Sequence, residues 1–237
     1  MTNINFHEID CMEFMAGKPD KFYKLAIVDP PYGVNAPKMQ MGSAPNRKGK
    51  GQYPGISTTV KLKTADRFHG RGKLKDRIIN RMDTTWDLTP PTEDYFKELF
   101  RVSVNQIIWG GNYFGLPATR CIICWDKLQP WENFSQWEMG WTSFDYPAKI
   151  YRISNTGGAN SEAKIHPTQK PVKLYRKCLT DFAKKGDNIL DTHGGSFSSA
   201  IACDMEGFDL DICEISKAYF DSGVNRFNDH KRQLTLF

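Results

Sequence analysis

The chain has 237 residues, 40% of them hydrophobic, and its 32 Lys and Arg against 27 Asp and Glu leave a net charge of +5. That length supports one sizeable core, so a single domain over 1–237 with elaborated loops is the expectation. No apolar run approaches the ~20 residues of a bilayer span, and the opening residues lack the basic flank and apolar stretch of a secretory signal. A membrane partner is therefore excluded and a cytoplasmic location expected.

The first elements read as strand, short helix, strand. The second strand, at 24–28, stops at Asp29-Pro30-Pro31, because two prolines cannot continue a ladder. Residues 33–81 show little periodicity and much Gly, Lys, Pro and Ser, which predicts a long flexible loop or DNA-recognition insertion. Acids between 38 and 81 are limited to Asp66 and Asp76, and Lys48, Lys50, Lys61, Lys63, Arg67 and Arg71 are the candidate contacts to a polyanion.

Order resumes with a helix near 91–100, a strand at 106–109 ending in Gly110-Gly111, and a strand at 121–125. Cys121 and Cys124 form a close cysteine pair there, but a zinc ribbon needs a second pair, so no metal is expected. The aromatic-rich stretch 131–146 reads as core or as a surface that meets an extended ligand, core being favoured, and 149–153 alternates like an edge strand. The last third alternates as helix 172–184, strand 188–190, helix 198–205, strand 209–212 and helix 217–227. Such alternation predicts an α/β fold, a mostly parallel sheet with helices on both faces and ligands beyond the strands' carboxyl ends.

Asp29-Pro30-Pro31-Tyr32 carries the sharpest chemical signal. An exocyclic amino group on a base is a poor nucleophile because its lone pair is delocalised into the ring. Two acceptors on its hydrogens, the Asp29 carboxylate and the Pro30 carbonyl, localise that pair, and the prolines keep the acceptors rigid. Tyr32 offers a flat face for a flipped base. Further on, Asp191-Thr-His193-Gly194-Gly195-Ser196 leads from a strand through a glycine turn into a helix, a geometry that lets backbone amides approach a ligand. About twenty residues later Glu214 ends the next strand, where a carboxylate accepts from ribose hydroxyls. Between these motifs, His166, Thr168, Gln169 and Lys170 are polar groups packed between two prolines. Lys170 can pair with a carboxylate, and His166 has no acid–base role in this reading.

Taken in their order, Asp-Pro-Pro-Tyr at 29–32, His-Pro-Thr-Gln-Lys-Pro at 166–171 and Asp-Thr-His-Gly-Gly-Ser at 191–196 resemble the beta-class DNA amino-methyltransferases. The resemblance implies a Rossmann-like S-adenosylmethionine-dependent methyltransferase acting on double-stranded DNA, encoded by a bacterium or phage. It implies Asp29, Pro30, Pro31 and Tyr32 at the target base, with Asp29, Asp191, His193, Gly194, Gly195 and Ser196 around S-adenosylmethionine and Glu214 on its ribose. Lys170, with His166, Thr168 and Gln169, would meet the methionine carboxylate, and Asp10 with Cys11 the cofactor adenine. Asp at the head of the motif favours adenine N6 over cytosine N4. The family's cofactor loop often reads Gly-Ser-Gly, whereas Phe197 follows Gly195-Ser196 here, which puts cofactor affinity in question.

The chain ends Lys231-Arg232-Gln233-Leu234-Thr235-Leu236-Phe237, and 231–237 reads as a peptide tail. Gln233, Leu234, Leu236 and Phe237 resemble the short peptide by which bacterial proteins dock on the DNA sliding clamp. Many family members form homodimers. The alternative readings are a cytosine-N4 target or a base in RNA, and a non-catalytic clamp-tethered DNA-binding relative.

Overall fold

The computed structural model describes residues 2–35, 86–129, 135–155 and 164–234. Elements are numbered over these residues. The chain opens with β1 (Ile4–Glu8), α1 (Cys11–Ala16) and β2 (Tyr23–Val28), and resumes with α2 (Glu93–Val102) and β3 (Ser103–Trp109). A 3-10 turn at Gly111–Tyr113 leads to β4 (Ile122–Asp126), β5 (Trp137–Thr142) and β6 (Lys149–Arg152). The last third holds α3 (Val172–Phe182), β7 (Asn188–Asp191), α4 (Ser198–Glu206), β8 (Asp209–Glu214) and α5 (Lys217–Leu234).

The strands form one eight-stranded sheet in the order β1-β8-β7-β2-β3-β5-β4-β6. Only β5 runs against the rest, pairing antiparallel with both β3 and β4, while every other pair is parallel. The expected α/β fold with a mostly parallel sheet is the one observed. Residues alternate faces along a strand, and both faces of the central strands are covered. On one side Leu25, Ile27, Ile107 and Trp109 pack with Leu174, Cys178, Ile201 and Phe227 of α3, α4 and α5. On the other, Ala26, Val28 and Ile108 pack with Met15 of α1 and Tyr95, Leu99 and Val102 of α2. This double burial is why β2 reads as a near-continuous apolar run rather than an alternation.

Chain order puts the switch point between β7 and β2: the chain leaves β2 toward β3 on one side, and β7 toward β8 on the other. A crevice opens at the carboxyl ends where such connections diverge. Asp29 and Thr192, each immediately beyond its strand, flank that point. The antiparallel course of β5 brings its first residues, Trp137 and Glu138, to the same edge.

Several boundaries move. The helix expected at 217–227 continues to Leu234, so Lys231, Arg232, Gln233 and Leu234 are helical rather than a tail. Arg232 bonding to Asp229 at 2.8 Å and Lys231 to Asp204 at 2.9 Å hold that last stretch. Leu236 and Phe237 lie outside the described residues, as do Lys48, Lys50, Lys61, Lys63, Arg67 and Arg71. The aromatic stretch is divided. Trp141 is buried, while Trp137 and Tyr146 are about half exposed, at 50% and 47%. The edge-strand expectation at 149–153 matches β6, which ends the sheet. Among the described residues no helix is long and apolar enough to cross a membrane, and no group of three or more metal-ligating side chains gathers.

Candidate active site

Asp29 is presented where β2 stops, with Pro30 buried behind it. Its Oδ1 accepts from the Tyr32 hydroxyl at 2.6 Å and from the Lys170 ammonium at 2.5 Å. Glu138, at the start of β5, joins them: its Oε1 lies 2.7 Å from the Tyr32 hydroxyl and 2.6 Å from Lys170 Nζ. Lys170 also donates to the Tyr32 oxygen at 3.0 Å, so its three N–H groups meet three acceptors. Lys127, just past β4, closes the cluster with a 2.9 Å pair to Glu138 Oε2. A phenol has one proton and can satisfy only one of the two carboxylates at a time, so the ammonium is what lets both sit there.

Burial is the largest influence on each of these groups, and it penalises charge. It lifts the Asp29 carboxyl above the ordinary range, with the neighbouring Glu138 charge adding to the rise, although Lys170 opposes it. Burial acts on Glu138 in the same sense, but Lys170 and Lys127 together overcome it and hold that carboxyl at about 2. Burial works against the Lys170 ammonium, and the two carboxylates more than offset it, so the lysine stays charged. Among the described residues nothing donates to Asp29 Oδ2. One carboxylate oxygen is thus tied down and the other is left for an incoming group.

Tyr32 is fixed at its ring as well as its hydroxyl. A Cβ on Gly110 would stand 2.2 Å from Tyr32 Cε1, and Gly110 has φ +71, so both the space and the backbone there demand glycine. The Tyr113 ring stacks on Tyr32 with centroids 5.0 Å apart and planes 14° off parallel.

A second concavity lies at the ends of β1, β7 and β8, lined by Ile9, Asp10, Cys11, Thr192, His193, Glu214 and Ile215. Glu214 accepts the Gly195 and Ser216 amides at 2.8 Å each, one on each oxygen, which leaves lone pairs on both. Asp10 caps α1 by accepting from the Met12 amide at 2.7 Å. Asp191 is satisfied inside the fold, by Ser199 Oγ at 2.5 Å and the His193 amide at 3.0 Å, and burial pushes its carboxyl up to about 7. The His193 ring meets Tyr95 edge-on, and burial lowers its pKa to about 4.

Residues 90–225 match the family model described as DNA methylase, the N6/N4 group. The chain belongs to this DNA methylase family. The Type II methyltransferase M2.MboI of Moraxella bovis is 24% identical over 229 residues, covering 84% of this chain and 78% of that protein. The DNA adenine methyltransferase YhdJ of Escherichia coli K12 is 25% identical over 111 residues, 47% of this chain, and the match spans only 35% of YhdJ. The cytosine-N4-specific PvuII DNA methyltransferase shares the fold, with a TM-score of 0.55 at 15% identity over 96% of this chain and 87% of that one.

In this methylase the motif residues divide between two neighbouring places. Asp29, Pro30, Pro31 and Tyr32 stand at the β2 end, with Lys170 beneath them. Asp10, Cys11, His193 and Glu214 line the second concavity, with the glycine turn of Gly194, Gly195 and Ser196 at its back. Lys170 differs from the expectation: its partners here are Asp29, Glu138 and Tyr32, not a free edge toward a cofactor carboxylate. His166 is buried between Trp86 and Tyr219, and burial holds it neutral with a pKa of about 3. Thr168 and Gln169 brace their own loop: Thr168 bonds to His166 Nδ1 at 3.1 Å, and Gln169 accepts the Ile165 amide at 3.0 Å.

Phe197 resolves differently from what its place in the motif suggests. It has φ +58, the left-handed region where glycine is usual. Its ring turns into the core, fully buried and stacked on Phe6 at 5.4 Å, and is absent from the concavity's lining. The ring sits so close to Gly194 and Gly223 that a Cβ on either would come within 2.6 Å of it. Glu138 and Lys127 were not anticipated from sequence. Each resembles an ordinary solvated charge beside a strand, and only the antiparallel course of β5 brings them to this edge.

The described residues on either side of 36–85 are joined by hydrogen bonds. The Gly33 amide donates to Asp87 Oδ1 at 2.8 Å and the Asn35 amide to the Asp87 carbonyl at 2.9 Å. Gly33, Asn35 and Asp87 are thus held together next to Tyr32 in the chain.

Proposed function

We propose that this protein transfers a methyl group from S-adenosylmethionine to the N6 amino group of adenine in double-stranded DNA. The observation that carries the reading is the acceptor end of β2. There Asp29, anchored through Oδ1 by Tyr32 and Lys170, stands beside the Pro30 carbonyl with Oδ2 open. Two fixed acceptors take the two amino hydrogens, draw the lone pair out of the ring and aim it, with no reorganisation needed at the moment of reaction. As the amino nitrogen gains its methyl it gives up a proton. Asp29 is suited to take it and pass it to solvent, because burial raises its proton affinity while Glu138, held at about 2, does not compete.

The second concavity suits the nucleoside end of the cofactor. Glu214 keeps lone pairs for ribose hydroxyls, and Gly195 is half-buried, with the His166 ring 3.7 Å from where a Cβ would stand. Asp10, Cys11 and His193 complete the lining. The cofactor, so held, supplies an electrophilic sulfonium methyl. The basic residues Lys48, Lys50, Lys61, Lys63, Arg67 and Arg71 are assigned to DNA phosphates, where they add affinity without specifying sequence. The choice of adenine rests on Asp at position 29 and on the likeness to YhdJ, a DNA adenine methyltransferase.

The test is methylation of unmodified bacterial DNA by purified protein, followed by digestion and mass spectrometry of the nucleosides, with Asp29→Ala in parallel. The expected product is N6-methyl-2′-deoxyadenosine, lost in the variant. N4-methyl-2′-deoxycytidine would overturn the choice of base, and product from Asp29→Ala would overturn the mechanism.

A further inference from the structure

We infer that Tyr113 is a second stacking platform, and that the target base inserts between its ring and that of Tyr32. This rests on the reading of the β2 end as the target-base site. The two rings already lie nearly parallel, 14° apart, with centroids at 5.0 Å. A planar base between two rings needs two face-to-face contacts of about 3.5–4 Å each, so from a 5.0 Å separation the rings must part by roughly 2–3 Å. Tyr32 cannot make that room: its hydroxyl is bound by Asp29, Glu138 and Lys170, and its ring edge rests on Gly110.

Tyr113 is the mobile partner. It is 48% exposed, its hydroxyl makes no hydrogen bond among the described residues, and it closes a single 3-10 turn that begins with Gly111. Nothing in the fold requires an aromatic at so exposed a place. A stacking role toward a planar group accounts for both its exposure and its alignment, since the two rings cover each other until a base separates them. Phe114, next in the chain, is edge-on to Tyr32 at 6.1 Å and tilted against Phe96 at 5.1 Å, which anchors the far end of the turn. Stacking on both faces favours the larger purine, because the stabilisation grows with the ring area covered.

The test compares wild type, Tyr113→Phe and Tyr113→Ala in steady-state methylation of unmodified DNA. A second readout is the fluorescence of 2-aminopurine placed at the modified position of a duplex. Loss of a base–aromatic stack lowers kcat/KM by roughly 5- to 150-fold. We expect that loss in the alanine variant, near-wild-type behaviour in the phenylalanine variant, and quenched 2-aminopurine that brightens in Tyr113→Ala. Wild-type kinetics and fluorescence in Tyr113→Ala would overturn the proposal. So would a faster Tyr113→Ala, which would make the ring an obstacle that the base displaces. Absence of any methylation by wild type would instead sink the reading of the site itself, so the two failures are distinct.

Discussion

Replacing Lys170 by Met keeps all but the terminal atom of the side chain's length and removes its charge, and the consequences follow from the cluster's geometry. The ammonium touches Asp29 at 2.5 Å, Glu138 at 2.6 Å and the Tyr32 hydroxyl at 3.0 Å, with its side chain 3% exposed. Without it, two carboxylates face one phenol proton in a recess, and only Lys127, on the far oxygen of Glu138, remains. Removing one partner of a buried pair costs about 3–5 kcal/mol, a melting shift of roughly 6–20 °C for a chain of this size. Protonation relieves that cost, and Asp29 is the group to take the proton because burial and Glu138 already raise it. A group whose native pKa exceeds its unfolded one favours the fold below the unfolded value and loses that contribution as pH rises through the native value. The stability deficit of Lys170→Met should therefore be small in acid and grow with pH. A protonated Asp29 can no longer both hold the amino group as an acceptor and take up its proton, so kcat should fall about 100- to 1,000-fold, the usual loss when one preorganised polar group is removed. The acid limb of the rate profile should move to higher pH, and adding Glu138→Gln should recover part of the loss by removing the like charge. The assay is single-turnover methylation across pH, alongside thermal melts. A kcat within threefold of wild type with an unmoved acid limb would refute the claim that Lys170 holds Asp29 in its working state.

Three further outcomes are expected. Phe197→Gly relieves a left-handed backbone, worth about 1–2 kcal/mol, but empties a fully buried ring site whose loss costs about 3–5 kcal/mol. The melting temperature should thus fall by several degrees, and a rise would show the strain to be the larger effect. Asp191 is held at about 7 by burial, so its contribution to stability is lost as pH rises through that value, by on the order of 1 kcal/mol between pH 6 and 8. Asp191→Asn should flatten that slope, checked by melts of both proteins at the two pH values. Gly110→Ala puts a methyl 2.2 Å from Tyr32 Cε1, which should abolish methylation while S-adenosylmethionine binding, measured by calorimetry, persists.

What could be read from the sequence is what short stretches of chain decide locally. Apolar runs of strand length alternating with amphipathic helices left little choice but a parallel sheet covered on both faces, and β7, α4 and β8 begin where expected. Two prolines after Val28 had to end β2, which put Asp29 and Tyr32 at a strand's carboxyl end before any coordinates were known. The glycine turn and Glu214 were legible for the same reason, since turn chemistry is local. The end of α5 was not. Lys231 and Arg232 carry charges that a sequence reading assigns to a tail, yet Arg232 pairs with Asp229 along the helix and Lys231 with Asp204 on α4.

The electrostatics of the site belonged to the tertiary structure alone. Glu138 lies 109 positions beyond Asp29 and Lys170 a further 32, as the numbering gives, and nothing adjacent to either signals the other. The reversed strand β5, hydrogen-bonded between β3 and β4, carries Glu138 to the edge where β2 ends, and the loop before α3 delivers Lys170 between the two carboxylates. Phe197 likewise looked like an obstruction by its position in the motif and became core only because Gly223 of a distant helix leaves room for its ring. A charge or a ring acquires its meaning from the neighbours that exclude water from it, and those neighbours are chosen by long-range pairing of strands and helices, which no local stretch of sequence encodes.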